Sequence, residues 1–218
     1  MATATADRRW AGEEAQSRRR FFLRRLHSLT GIFPIGLYVL VHLGINSFAA
    51  SGEEIYDGLA ELLESLPYLI LIEIPFIWAP ILFHSLYGIY VQARGNGNAF
   101  QYAYPNNWMY TLQRWTGVVS LVFIGWHFWQ TRLANYLFGV PVDFRMMADI
   151  LDDPRWVAFY VVGLVAVSFH LANGVRTFLM TWGVVTGPRA RRAVARVCAA
   201  FGVLVLAVSL AAVWAFIK

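Results

Sequence analysis

The sequence predicts an all-α integral membrane bundle of five transmembrane helices, N-terminus cytoplasmic and C-terminus outside. Three observations carry that expectation. First, 58% of the 218 residues are hydrophobic, only 14% are charged and the mean hydropathy is +0.51, a balance too apolar for an ordinary soluble domain. Second, five largely apolar stretches, 29–49, 67–92, 110–133, 155–180 and 198–217, are each long enough to cross about 30 Å of hydrocarbon. Third, the charges are sorted by side. The N-terminal segment, the 93–110 loop, Arg114 and the 176–197 loop hold fourteen of the eighteen Lys and Arg residues, whereas the opposite side holds four together with nine acids. Positive loops stay in the cytoplasm, so the +5 net charge reports orientation and not affinity for nucleic acid. The chain divides into a cytoplasmic Arg-rich segment, 1–28, and a five-helix transmembrane domain, 29–218.

In chain order, Ser17-Arg18-Arg19-Arg20-Phe21-Phe22-Leu23 looks like a twin-arginine export signal, with Phe48-Ala49-Ala50 as its cleavage site. The apolar run between them is as long as a full span and carries His42, which favours an uncleaved first helix. Pro34 in span I and Pro75 and Pro80 in span II are tolerated where neighbours re-satisfy the freed carbonyls, and they predict kinks. Between these spans Ile55, Leu59, Leu62 and Leu66 recur at helical spacing against Glu53, Asp57, Glu61 and Glu64, the pattern of an amphipathic helix on the outer surface. Ser65 with Pro67 predicts the start of span II, and Asp153 with Pro154 that of span IV. Phe144, Met147 and Ile150 predict a shorter amphipathic helix before span IV. The single cysteine, Cys198, excludes an intrachain disulfide and a cysteine-ligated cluster, so any iron–sulfur centre lies in another protein.

Four of the five histidines, His42, His84, His127 and His170, fall one apiece in four spans, where an imidazole is costly without a partner. Counting about 1.5 Å per residue from the inner helix ends puts His84 about 12 Å and His170 about 15 Å deep, and His42 about 20 Å and His127 about 25 Å. Two stacked bis-histidine sites follow. Zinc would require four ligands, and the spans offer no cysteine or clustered carboxylate at either level. Two axial nitrogens from facing helices suit a b-type haem, whose porphyrin supplies the other four donors. Gly88 and Gly174 follow His84 and His170 by one turn on the same face and leave room for a macrocycle, with Gly36 and Gly125 as counterparts at the other level. A lone membrane histidine bonds across helices as readily as it holds a metal; four at paired depths argue for the metal sites.

The chain resembles the single-subunit, two-haem cytochrome b anchors of bacterial succinate:menaquinone oxidoreductases and the related fumarate reductases. The resemblance runs from Arg24-Arg25-Leu26-His27-Ser28-Leu29-Thr30-Gly31 through Asn107-Trp108-Met109 and Leu112-Gln113-Arg114 to Phe169-His170-Leu171-Ala172-Asn173-Gly174 and Thr181-Trp182-Gly183. It implies proximal haem ligands at His84 and His170 and distal ones at His42 and His127, the pairing that depth alone gives. It further implies two haem b, menaquinone as the bound substrate, a flavoprotein subunit carrying FAD and an iron–sulfur subunit on the cytoplasmic face, and a multi-pass place in the bacterial inner membrane among its lipids. Nucleic acid is no partner, and a higher oligomer of the complex is compatible with the family.

Arg24, Ser28, Arg114 and Arg176 are the propionate candidates, on the argument that an arginine fork suits a carboxylate. His27, at the inner mouth of span I and without a partner at its depth, is expected to be hydrated and not an axial ligand. With Thr30 it is a candidate for an inner quinone site or a propionate contact, and interfacial snorkelling is its default role. Glu73, the one carboxylate within a span, is a candidate for proton exchange with quinone near the outer haem, with Asn46 orienting the ring; a neutral acid bonded across helices is the alternative. Ser168 stands where some fumarate reductases of the group carry a glutamate held to move a compensating proton, so that route is not expected here. Two other readings compete: a two-haem cytochrome b of a hydrogenase or formate dehydrogenase, and a transporter relaying protons through the histidines and Glu73.

Overall fold

A computed structural model describes residues 2–95 and 97–218; Met1 of the N-terminal segment and Asn96 of the 93–110 loop lie outside the described residues. The described chain is all helical, in the order α1 (Ala2–Ile32), α2 (Ile35–Asn46), a 3₁₀ turn (Ser47–Ser51), α3 (Glu53–Glu64), α4 (Leu69–Glu73), a π turn (Ile74–Trp78), α5 (Ala79–Ala93), α6 (Pro105–Phe128), a second π turn (Trp129–Leu133), α7 (Ala134–Phe138), α8 (Phe144–Leu151), α9 (Pro154–Thr181) and α10 (Pro188–Ile217). Among the described residues four stretches are long and apolar enough to cross a membrane: Glu13–Ser51, Leu69–Ala93, Pro154–Thr181 and Pro188–Ile217. The expected third span corresponds to α6, which is 24 residues long but carries Asn106, Asn107, Gln113 and Arg114 in its first half.

The prolines act where the sequence places them. Pro34 has no N–H to continue the ladder, and α1 ends just before it, α2 starting just after. Pro75 falls in the first π turn, whose wider spacing absorbs the missing donor. Asp153 caps α9, its carboxylate accepting from the Arg155 backbone N–H at 2.9 Å, with Pro154 as the first helical residue.

Ser65 does not start span II. Its hydroxyl donates to Leu62 O at 2.7 Å and closes α3, and the next helix begins at Leu69 after Tyr68 in a left-handed conformation, φ 56°. A hydroxyl at the end of one helix is satisfied locally by the carbonyl three residues back, which removes it as a cap for the next. The apolar stripe of α3 also faces outward: Ile55 and Leu62 are exposed, while Tyr56 is buried against Phe144 and Phe216. In α8, Met146, Met147 and Leu151 are the buried residues, and Asp143 caps its start by accepting from Met146 N–H at 2.8 Å. Helix α10 starts ten residues before the expected span, so Arg189, Arg191, Arg192 and Arg196 ride on its first turns.

Helix α9 is the hub, packed against α1, α6 and α10, while α1 also lies on α5. The core gathers Tyr56, Phe123, Leu151, Tyr160, Leu164, Val213 and Phe216 at one end of the bundle. Elsewhere large apolar side chains point outward, Leu82 at 60% and Val203 at 68% exposure among them, as a lipid-facing surface requires and a water-facing one penalises.

Candidate haem sites between the helices

The structure brings the four histidines together in two pairs. His84 on α5 faces His170 on α9 with ring centroids 6.2 Å apart and ring planes at 89°, and His42 on α2 faces His127 on α6 at 5.9 Å and 69°. Rings so separated leave space for one metal ion with nitrogen bonds of roughly 2.0–2.1 Å on either side. Among the described residues no group of three His, Cys, Asp or Glu side chains is placed to hold a metal ion, so each pair offers two protein donors, the number an axially ligated porphyrin iron takes.

Around the first pair lies a cavity of about 1020 Å³, at the upper end of the roughly 300–1,000 Å³ common for cofactor pockets. Glycines hold it open. A Cβ on Gly31 would stand 2.5 Å from His84 Cε1, and one on Gly117 2.9 Å from His170 Cε1. Gly36, Gly88 and Gly174 also line it, a Cβ on Gly88 meeting His27 at 3.3 Å; nothing lies within 4 Å of one on Gly125. Size, donor set and glycine walls fit a macrocycle held between His84 and His170.

Each imidazole of this pair is anchored through Nδ1, leaving Nε2 for a metal. His84 Nδ1 donates to His27 O at 3.0 Å, and His170 Nδ1 donates to Gln113 O at 3.0 Å. The Gln113 side chain donates back to His170 O at 3.0 Å and is fixed by Asn173, whose amide donates to Gln113 Oε1 at 2.8 Å. At the other level His127 Nδ1 lies 3.0 Å from the Tyr160 hydroxyl, and Asn46 Nδ2 lies 3.4 Å from His42 Nε2.

Arg24, Ser28, Arg114 and Arg176 all line the cavity, joined by Arg191 and Arg192 from α10. Arg114 spends its donors on Gln92 Oε1 and the Val91 and Gln92 carbonyls at the end of α5, as well as on the Tyr110 hydroxyl. Arg176 reaches Asn173 Oδ1 at 3.1 Å and Asn106 Oδ1 at 3.0 Å, and its buried Nε has no partner.

His27 departs from expectation. Its ring stacks on that of His84 at 4.1 Å and 12°, with Nδ1 buried and unpartnered, because His27 and Gly31 lie one turn apart on the face that α1 turns to α5. Thr30 turns to the backbone, donating to His27 O at 3.1 Å, and does not line the cavity. Asn46 donates to His42 O at 2.8 Å and accepts from the Tyr56 hydroxyl at 3.3 Å. Glu73, 8% exposed, is in an ion pair: Arg132 Nη2 sits 2.9 Å from Oε1, while the Tyr136 hydroxyl and Trp78 Nε1 donate to Oε2. The same guanidinium reaches Glu64 at 3.0 Å nearer the surface.

Residues 96–216 match a family described as succinate dehydrogenase/fumarate reductase transmembrane subunit. Over 199 residues, 91% of this chain and 98% of the relative, the sequence is 41% identical to the succinate dehydrogenase cytochrome b558 subunit of Bacillus subtilis (strain 168). The chain belongs to the succinate dehydrogenase/fumarate reductase transmembrane subunit family. This transmembrane subunit is a multi-pass integral membrane protein of a bacterial membrane. Membership favours a succinate dehydrogenase/fumarate reductase transmembrane subunit over the hydrogenase-type cytochrome and the relay transporter.

What sequence reading missed in this transmembrane subunit is the support around the histidines: Gly31, Gly117, Gln113, Asn173, Tyr160, and the Arg132 partner of Glu73. Gln113, Asn173 and Gly31 lie inside the motifs quoted above and were within reach. Tyr160 and Arg132 carried no local signal.

Proposed function

We propose that the subunit binds two b haems, one between His84 and His170 and one between His42 and His127, and passes electrons from an iron–sulfur subunit, supplied by a flavoprotein that oxidises succinate, to menaquinone. The opposed imidazoles at 6.2 and 5.9 Å are the observation that carries this reading. When bound, the haems supply one-electron carriers at two depths of the membrane. The chain's part is to set ligand geometry, exclude water and handle charge.

Five crossings support the two levels. Along its length α6 meets α9 successively through Gln113 with Asn173, Gly117 with His170, Phe123 with Gly163 and His127 with Tyr160. From Asn173 to Tyr160 is about 20 Å of helix, so α6 accompanies α9 through most of a bilayer core despite its polar first half. Arginines at the cavity's mouth, with the basic first turns of α10, form a positive cytoplasmic face suited to propionates and to soluble partner subunits. At the far end Glu73 exchanges protons with the quinone and Asn46, held between His42 and Tyr56, orients its ring.

Reduced-minus-oxidised spectra with haem quantitation on the purified complex test this reading. Two b haems per chain are expected, with replacement of His84 or His170 removing one and replacement of His42 or His127 the other. A colourless, iron-free complex refutes it.

A further inference from the structure

The four imidazoles are not anchored alike. His84 and His170 each donate to a backbone carbonyl, which no substitution removes, whereas His127 meets a side-chain hydroxyl, that of Tyr160, at 3.0 Å from Nδ1. Tyr160 is only 3% exposed and its ring is clamped edge-on against Phe123 at 5.3 Å and against His127 itself at 5.7 Å. Phe123 in turn stacks on His127 at 5.9 Å and 18°. The hydroxyl therefore has one place to be. With Nε2 given to a metal, Nδ1 carries the proton and donates it to Tyr160 Oη, since the neutral ring has one N–H.

We infer that Tyr160 is a positioning residue of the distal centre: its hydroxyl fixes the rotation of the His127 ring and raises its donor strength, independently of the proximal centre. A hydrogen bond accepted from the far N–H makes an imidazole a more basic ligand, and a more basic axial ligand favours the oxidised iron. Removing that acceptor weakens the ligand and moves the potential upward. The inference rests on the two-haem reading above.

The experiment is a redox titration, with haem quantitation, of the assembled complex carrying Tyr160→Phe, which deletes the hydroxyl and keeps the ring that packs on Phe123. The unaltered complex is titrated first; failure to find two haems there disposes of the two-haem reading and not of Tyr160 in particular. Given two, the expected result is an upward shift of the distal potential, or loss of the distal haem alone, with the proximal potential unmoved. No shift, or an equal shift of both centres, overturns the inference. If Tyr160→Phe does not assemble, Tyr160→Gln, which keeps an acceptor without the ring, gives the second reading: two haems with a distal potential close to the unaltered value support the role, and a distal potential unrelated to the presence of an acceptor overturns it.

Discussion

His84 is held by the main chain of His27 and covered by its side chain: Nδ1 donates to the His27 carbonyl at 3.0 Å while the two rings lie parallel at 4.1 Å. The two contacts separate on mutation. His27→Leu leaves the carbonyl in place, so the His84 ring keeps its orientation and the complex is expected to retain two haems. The aromatic cover is lost, the cavity wall becomes wholly apolar there, and the proximal potential and absorption maximum are expected to move while the distal values do not. Haem quantitation with a redox titration reads both; loss of a haem would make His27 a ligand and contradict its placement.

The glycines offer a steric test. Gly31→Val and Gly117→Val each put a side chain against a proximal imidazole, at starting separations of 2.5 and 2.9 Å, where rigid ring atoms cannot give way. Each is expected to yield a complex with one haem, the distal one. Gly58→Ala, in α3 and outside the four helices that carry the paired histidines, serves as the contrast, since nothing stands within 4 Å of the added methyl. It should keep both haems and, in mid-helix, gain roughly 0.5–1 kcal/mol of stability. Two haems in both valine variants would show that His84 and His170 do not flank a bound group.

Depth is legible in the sequence because helix rise converts residue number to distance, and so the histidines pair by counting alone. Azimuth is not. Which residue of a neighbouring helix faces His84 depends on rotation about two axes and on interruptions such as the π turns at Ile74–Trp78 and Trp129–Leu133, which shift the register of everything beyond them. Arg132 lies inside the second of these turns and Glu73 borders the first, so their meeting leaves no trace in spacing. The stacking of His27 is hidden for the same reason. Asp153 is readable because a cap is a local event, whereas Ser65 misleads because a serine two residues before a proline can close one helix as readily as open another.

Asp153 gives a pH signature at the start of α9. The Arg155 side chain, and then its backbone N–H, hydrogen-bond the carboxylate and hold its pKa below the ordinary value for aspartate. A group depressed on folding stabilises fully above its unfolded pKa, and that contribution is lost as pH falls through the lower folded value. Amide exchange in the first turn of α9, at Trp156 and Val157, should therefore accelerate as pH drops below the usual carboxylate range, after allowance for intrinsic exchange rates. Asp153→Asn is expected to flatten that dependence, and an unchanged profile would remove the carboxylate from the capping role.

Glu73 and Arg132 allow the structural and chemical roles of one ion pair to be told apart. Arg132 lies between Glu73, almost inaccessible, and Glu64, closer to the surface, so removing Glu73's charge leaves the cation a second partner. Removing Arg132 leaves a buried carboxylate with only the Tyr136 and Trp78 donors. Arg132→Gln is therefore expected to destabilise the complex, by roughly 3 kcal/mol, more than Glu73→Gln does, and the double variant should recover much of that loss. Turnover should follow a different order: if Glu73 exchanges protons with the quinone as proposed, Glu73→Gln and the double variant both slow succinate:menaquinone turnover, with both haems still present. Thermal unfolding in detergent reads the first order and steady-state assays the second. If Glu73→Gln turns over at the rate of the unaltered complex, the pair is a structural clasp between α4 and the turn after α6, and the proton must reach the quinone by another group.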